Sequence, residues 1–184
     1  RYVSEYIRPM ETAVHLDLPD NIPWFVDYNL RERDWGQFGV ISEEERKEKY
    51  ADALRSRLID RFFWRPPSGE SMADVGLRLN RVFSTMSREC SRDNVIWSCH
   101  GEIMWGIRVA FERMSQRRYA ELDASKNPFD KIHNCQILHY TRQDPFIGKI
   151  VPHYIWMRSI CPWDLSLSNN EWQRIIRPTY TNND

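Results

Sequence analysis

No charge of one sign dominates this sequence, because 26 Lys and Arg stand against 26 Asp and Glu. That balance removes the broad basic field with which a protein holds nucleic acid, and no nucleic-acid motif is present. No pair of the four cysteines, at 90, 99, 135 and 161, has the CxxC spacing of a metal or redox motif. A chain of 184 residues has no need of a disulfide framework, so the thiols read as reduced and buried, which favours an intracellular compartment. No apolar run approaches the ~20 residues of a membrane span, and nothing at the start resembles a secretory signal. Repeats and low-complexity tracts are missing too. The expected compartment is the cytoplasm, with the mitochondrion as the alternative. The first residue is Arg1 and not Met, as expected of a processed or truncated chain.

What is present is the material of a globular domain. Hydrophobic residues make up 41% and charged residues 28%, a balance that disordered chains do not have. Eight Trp, eight Tyr and eight Phe supply a core, with aromatic surface left over for a cleft or a partner.

Hydrophobic rhythm and punctuation place the elements. Residues 4–16 read as a helix with Ser4 as its N-cap and Pro9 in its first turns. WFVDYNL (24–30) reads as a strand and RERDWGQFG (31–39) as the loop at its end. Ser42, followed by Glu43, Glu44 and Glu45, opens a polar helix expected to reach about Arg61. Ser71 caps the clearest helix, in which Met72, Val75, Leu79, Val82, Phe83 and Met86 keep helical spacing. NVIWSCHG (94–101) is apolar without alternation, as in a strand buried on both faces, and is expected to be central. Helices follow over 102–114 and 115–125, the second capped by Ser115. CQILHYTR (135–142) and IVPHYIWMRSI (150–160) read as an antiparallel hairpin. Residues 162–184 read as a tail, so the expected division is a domain over 1–161 and a tail with an aromatic and Arg-containing surface for a protein partner. Alternating helices and strands predict an α/β three-layer sandwich with a mostly parallel sheet flanked by helices.

The junction Ser98-Cys99-His100-Gly101-Glu102 is the sharpest chemical signal. A strand ends there and a helix begins, so free amides of Gly101 and Glu102 and the positive end of the helix point at one place. His100 stands at the strand tip, expected as an imidazolium, and ligands of open α/β sheets bind beyond such tips. Three further pieces join it: Arg8 in Arg8-Pro9-Met10-Glu11-Thr12-Ala13, Glu32 in Leu30-Arg31-Glu32-Arg33-Asp34-Trp35-Gly36, and Pro67-Ser68-Gly69-Glu70-Ser71 before the long helix. Taken singly, Arg8 has Glu5 or Glu11 as structural partners, and Glu32 has Arg31 or Arg33. His133, His139 and His153 on the late hairpin are a weaker candidate for a metal site.

In combination, these pieces resemble the histidine-phosphatase superfamily, of the phosphoglycerate-mutase-like kind. Three of its four landmarks occur in order: Ser-x-x-x-Arg-x-x-x-Thr-Ala at Ser4 to Ala13, Leu-x-Glu-x-x-x-Gly at Leu30, Glu32 and Gly36, and the later His-Gly at His100-Gly101. The first, an Arg-His-Gly that ends an N-terminal strand, has no counterpart, so that strand is expected to be missing from this chain. Phe38 stands where many relatives have Glu. The resemblance implies a phosphomonoester hydrolase or phosphomutase acting through a phosphohistidine, with a small phosphorylated substrate and no metal or other cofactor. Arg8, Glu32 and His100 would be catalytic, with Glu32 as the proton donor, and Arg8, His100, Gly101 and Glu102 would bind phosphate. The alternative it leaves is an inactive member that serves as a subunit or interaction module. The fragment as printed, without its nucleophile, is expected to be inactive.

Overall fold

The computed structural model describes residues 1–179 and 181. They form two compact units, residues 1–107 and the residues from Arg108 onward. The strands of the first unit are β1 (Tyr2–Val3), β2 (Phe25–Val26) and β3 (Trp97–Ser98). Its helices are α1 (Ile7–Val14), α2 (Glu43–Lys49), α3 (Ala51–Ile59), α4 (Met72–Glu89) and α5 (Gly101–Phe111), whose last turn enters the second unit.

The three strands make a parallel sheet in the order β2-β1-β3, so the expected α/β class with a parallel sheet between helices is observed. Alternation along the strands explains the layering. Trp97 faces α4, where its ring meets Phe83 at 5.9 Å. Its neighbour Ser98 must point to the opposite face, and there its Oγ donates to the Pro9 carbonyl of α1 at 2.7 Å. Tyr2 pairs in register with Trp97 and, on the α4 face, its hydroxyl lies 3.7 Å from Cys90 Sγ. Helix α1 therefore covers one face and α4 the other.

The expectation of a central strand over 94–101 is corrected. Only Trp97–Ser98 pairs, β1 is the middle strand, and β3 lies at the end of the described sheet with Ile96 38% exposed. The expected strand over 24–30 is also shorter. The Asp27 side chain accepts from the Asn29 amide at 2.9 Å and turns the chain into a 3₁₀ helix over Tyr28–Leu30, a local competition at which Asp is effective. The single helix expected from Ser42 breaks at Tyr50, whose ring turns to Phe38 with centroids 5.5 Å apart.

The amphipathic reading of α4 holds. Ser71 and Asp74 form a reciprocal capping box, and Met72, Val75, Leu79 and Val82 are buried. Helix α5 crosses α4 where Gly106 has no side chain: a Cβ there would lie 2.6 Å from Leu79 Cδ1 and 3.1 Å from Val75 Cγ1. The close approach brings Ile103 and Ile107 into the core, both buried.

The second unit holds α6 (Gln116–Ala124), capped by Ser115 as expected, and the strands β4 (Ile137–Thr141), β5 (Trp156–Ile160) and β6 (Asn169–Arg174). They form an antiparallel sheet in the order β4-β5-β6. The β4–β5 pairing matches the expected hairpin. Strand β6 lies within the stretch read as a tail, because its alternation is short and polar and only the edge of β5 gives it a place. Tyr140, half-buried, donates to Glu112 Oε1 at 2.7 Å, and Arg108 Nε reaches the same oxygen at 3.0 Å. Burial and Glu112 both push the Tyr140 hydroxyl well above its ordinary range.

Candidate active site

The site residues stand where the parallel strands end. Beyond β3 comes His100, which is buried, and its carbonyl accepts from the Met104 amide as the first bond of α5. Beyond β1 comes Ser4, fully buried, with its Oγ 2.9 Å from His100 Nε2. This corrects the reading of Ser4 as an N-cap: the cap position of α1 is Tyr6, and Ser4 anchors the imidazole. The Tyr6 ring adds an edge contact to His100, centroids 5.2 Å apart.

Burial, then the nearby guanidinium groups of Arg8 and Arg78, push the His100 pKa down to about 4. The protein groups around it thus favour the neutral imidazole, and the expected imidazolium needs an anion to repay the cost of burying its charge.

Arg8 is exposed on α1 and forms no ion pair with Glu5 or Glu11 among the described residues. It lies near enough to lower the proton affinity of both Glu32 and His100, so the structure brings these three residues together. Glu32 is partly buried, between the two 3₁₀ turns at Tyr28–Leu30 and Gly36–Gly39. Its Oε1 accepts from the Arg33 amide at 2.9 Å, and its carboxylate also accepts from the Glu102 amide. Burial nevertheless holds its pKa above the ordinary value, with the Glu102 charge adding to the rise. The two arginines beside it are engaged elsewhere: Arg31 with Glu70 at 3.1 Å and Arg33 with Glu102 at 3.2 Å. Glu32 thus forms no ion pair with either neighbouring arginine, and Arg8 acts on it only as a nearby charge. The Cys99 thiol, by contrast, is pushed up to about 12 by burial and stays protonated.

A scaffold of ion pairs fixes the loop that carries Glu32. Arg78, 8% exposed on α4, grips Glu70 with Nε and Nη2, each at 2.9 Å, and Nη2 also donates to the Glu32 carbonyl at 3.2 Å. Burial alone would raise Glu70, but bonds from Arg78 and the Asp34 amide and the charges of Arg78 and Arg31 outweigh it and hold Glu70 below the ordinary range. Gly36 and Gly69 let the two loops interlock. A Cβ on Gly36, whose φ is +49°, would lie 2.1 Å from the Pro67 carbonyl oxygen, and one on Gly69 2.5 Å from that of Asp34. Sequence reasoning missed Arg33, Glu70 and Arg78. One signal was available for Arg78: it occupies a position of the apolar stripe of α4, between Val75 and Leu79.

Two of the three histidines proposed for a metal are otherwise engaged. His133 Nε2 is 2.9 Å from the Pro128 carbonyl, and His139 accepts from Arg158 Nε at 3.2 Å and packs against Trp172. Among the described residues, no group of three His, Cys, Asp or Glu side chains is placed to hold a metal ion, and no helix is long and apolar enough to cross a membrane.

Comparison with known proteins agrees with this geometry. The family model of the histidine phosphatase superfamily (branch 1) matches residues 1–146. A 2,3-bisphosphoglycerate-dependent phosphoglycerate mutase from Gloeobacter violaceus is 28% identical over 109 residues, covering 58% of this chain and 49% of the mutase. A 6-phosphofructo-2-kinase/fructose-2,6-bisphosphatase from Gallus gallus is 32% identical over 103 residues, 56% of this chain and 20% of that enzyme. The chain thus spans half or less of the length of these relatives. Among solved structures, a mycobacterial glucosyl-3-phosphoglycerate phosphatase superposes with a TM-score of 0.58 at 16% identity, over 96% of this chain and 75% of the other, which supports the fold alone.

Proposed function

This chain belongs to the histidine phosphatase superfamily (branch 1), and from that premise we propose that it carries most of the site of a phosphomonoester hydrolase or phosphomutase. The attacking histidine would come from a strand outside these 184 residues. It would displace the alcohol from a small phosphorylated substrate and become phosphohistidine. Arg8 would clamp the phosphoryl oxygens, and the amide of Gly101 at the start of α5 would donate to them, groups aimed at charge that grows in the transition state. His100 would bind the same group and regain its proton as the anion arrives. Glu32 would protonate the leaving oxygen and then assist water.

The single observation that carries this reading is Glu32: a carboxyl lifted above its ordinary range by burial, fixed by two amides, and set beside Arg8 and His100. A structural carboxylate of the kind seen at Glu70 is gripped by arginine and lowered instead. The open side of β3 supports the placement of the missing group, because a further parallel strand there would end next to His100.

The test is a phosphatase assay on the full-length protein, with a broad panel of monoesters, beside His100→Ala and Glu32→Gln variants. Release of phosphate that falls ~10²-fold or more in Glu32→Gln is expected for a general acid. No release from any ester would turn the reading to the inactive, interaction-module alternative.

A further inference from the structure

Two carboxyl groups meet at this site, and only one can be the proton carrier. Glu102 follows His100 by two residues, on the first turn of α5. Its amide donates to the Glu32 carboxylate. Its own carboxylate is taken by Arg33, Nη1 to Oε2 at 3.2 Å. Arg33 in turn donates its backbone amide to Glu32 Oε1 at 2.9 Å. The three residues close a ring in which Arg33 and Glu102 each give one amide to Glu32 and give their charged ends to each other.

Arg33 is built into this place. It is 3% exposed, Nε donates to the Glu70 carbonyl at 2.8 Å and Nη2 to the Trp64 carbonyl at 3.3 Å. The faces of Trp35 and Trp64 lie 4.7 and 5.8 Å from its Cζ. A buried guanidinium held by two carbonyls and two indoles has one orientation, and that orientation presents Nη1 to Glu102. Lysine has neither the fork nor the planar face for this arrangement.

We propose that Arg33 is a positioning residue that makes Glu32, and not Glu102, the proton-carrying carboxyl of the site. Two like-charged acids sharing a site divide their protons according to which has the better counter-charge. Arg33 supplies that counter-charge to Glu102 alone, while its amide and that of Glu102 hold Glu32 in place without adding a full positive charge. The charged and titratable groups around Glu32 are Arg8 of α1, Cys99 and His100 beyond β3, Arg78 of α4, and the Arg33–Glu102 pair itself. Of these, Arg8 opposes protonation of Glu32 and the Glu102 charge favours it. Arg33 thus draws the Glu102 carboxylate into a fixed geometry beside Glu32. The inference rests on the proposed reaction for its meaning, but not for its test.

The test reads Glu32 directly, by carboxyl-carbon NMR titration of the folded chain without substrate. Glu102→Gln keeps the amide and a hydrogen-bond acceptor for Arg33 but removes the charge. The Glu32 midpoint should fall by about half a pH unit or more, because a repelling charge is gone and Arg33 is left uncompensated. The Glu102 midpoint is read beside it, and Arg33→Gln should lift it above that of Glu32, because Glu102 then loses its counter-charge and takes the shared proton first. A Glu102 midpoint that stays below that of Glu32 in Arg33→Gln, or a Glu32 midpoint within about 0.2 of the wild type in Glu102→Gln, overturns the proposal. Should Arg33→Gln fail to fold, Glu102→Gln alone decides. In the full-length protein, the pH limb of turnover assigned to Glu32 should shift with the same sign as its midpoint. Absence of turnover, with the midpoints displaced as stated, would overturn the proposed reaction and leave the pairing intact.

Discussion

Lowering the pH should destabilise this protein through one imidazole. His100 is 6% exposed, and burial with Arg8 and Arg78 nearby lowers its pKa from the ordinary 6.5 to about 4. A group whose folded-state pKa is depressed binds its proton more readily when the chain unfolds. Stability contributed by the neutral imidazole is therefore complete above about 6.5 and is lost as the pH falls toward 4. The difference of about two and a half pH units, at roughly 1.4 kcal/mol each, gives about 3 kcal/mol over that window. The assay is urea unfolding at several pH values between 4 and 8 for the wild type and His100→Asn, whose difference removes the carboxylates common to both. The wild type should lose roughly 3 kcal/mol more than the variant between the two ends. Added phosphate should raise the His100 midpoint in a ring-proton NMR titration, since an anion at Gly101 restores what burial removed. Superimposable pH profiles of wild type and variant would refute the placement of a buried neutral imidazole at this strand tip.

Three further outcomes follow from the packing. Leu79→Ala, at a fully buried position, should cost ~2–5 kcal/mol in denaturant unfolding. Paired with Gly106→Ala, whose new Cβ enters the space of Leu79 Cδ1, the loss should be smaller than the sum of the two single losses. Gly36→Ala meets the Pro67 carbonyl at 2.1 Å with φ at +49° and should lower the melting temperature and broaden the NMR signals of the loop that carries Glu32; an unchanged melting temperature would contradict the interlocked loops. Truncation after Ser168 removes β6, which pairs with β5, and should expose the β5 amides to rapid hydrogen exchange; retained protection would mean that β6 adds no cover.

The fold was legible where a signal was local and repeated. The α4 stripe and the Ser71 cap were readable because a capping box and a helical period each follow from side chains a few residues apart. The strands were legible as apolar runs but not as pairings. Trp97–Ser98 carries the composition of a buried strand, yet its place in the order depends on which strands flank it, and that is set by long-range packing. Strand β6 was invisible for the same reason: NNEWQR is polar, and its pairing is dictated by the edge of β5. Asp27 and Tyr50 ended elements early through contacts that no propensity contains, one with the Asn29 amide and one with Phe38.

The site divides along the same line. Arg8, Glu32 and His100 could be singled out because each stands at an element boundary with a recognisable neighbour, and a boundary is a local fact. Their electrostatic states could not be, because a pKa is a property of everything nearby. His100 stands in the motif as a phosphate-binding cation, and in the fold burial beside Ser4, Arg8 and Arg78 lowers its pKa to about 4. Glu32 looked like one acid among many in Arg31-Glu32-Arg33, yet both neighbouring arginines turn away to Glu70 and Glu102. Adjacent opposite charges in a sequence do not imply a pair. Here the adjacent arginines pair with other carboxylates, and burial lifts the acid between them above its ordinary range.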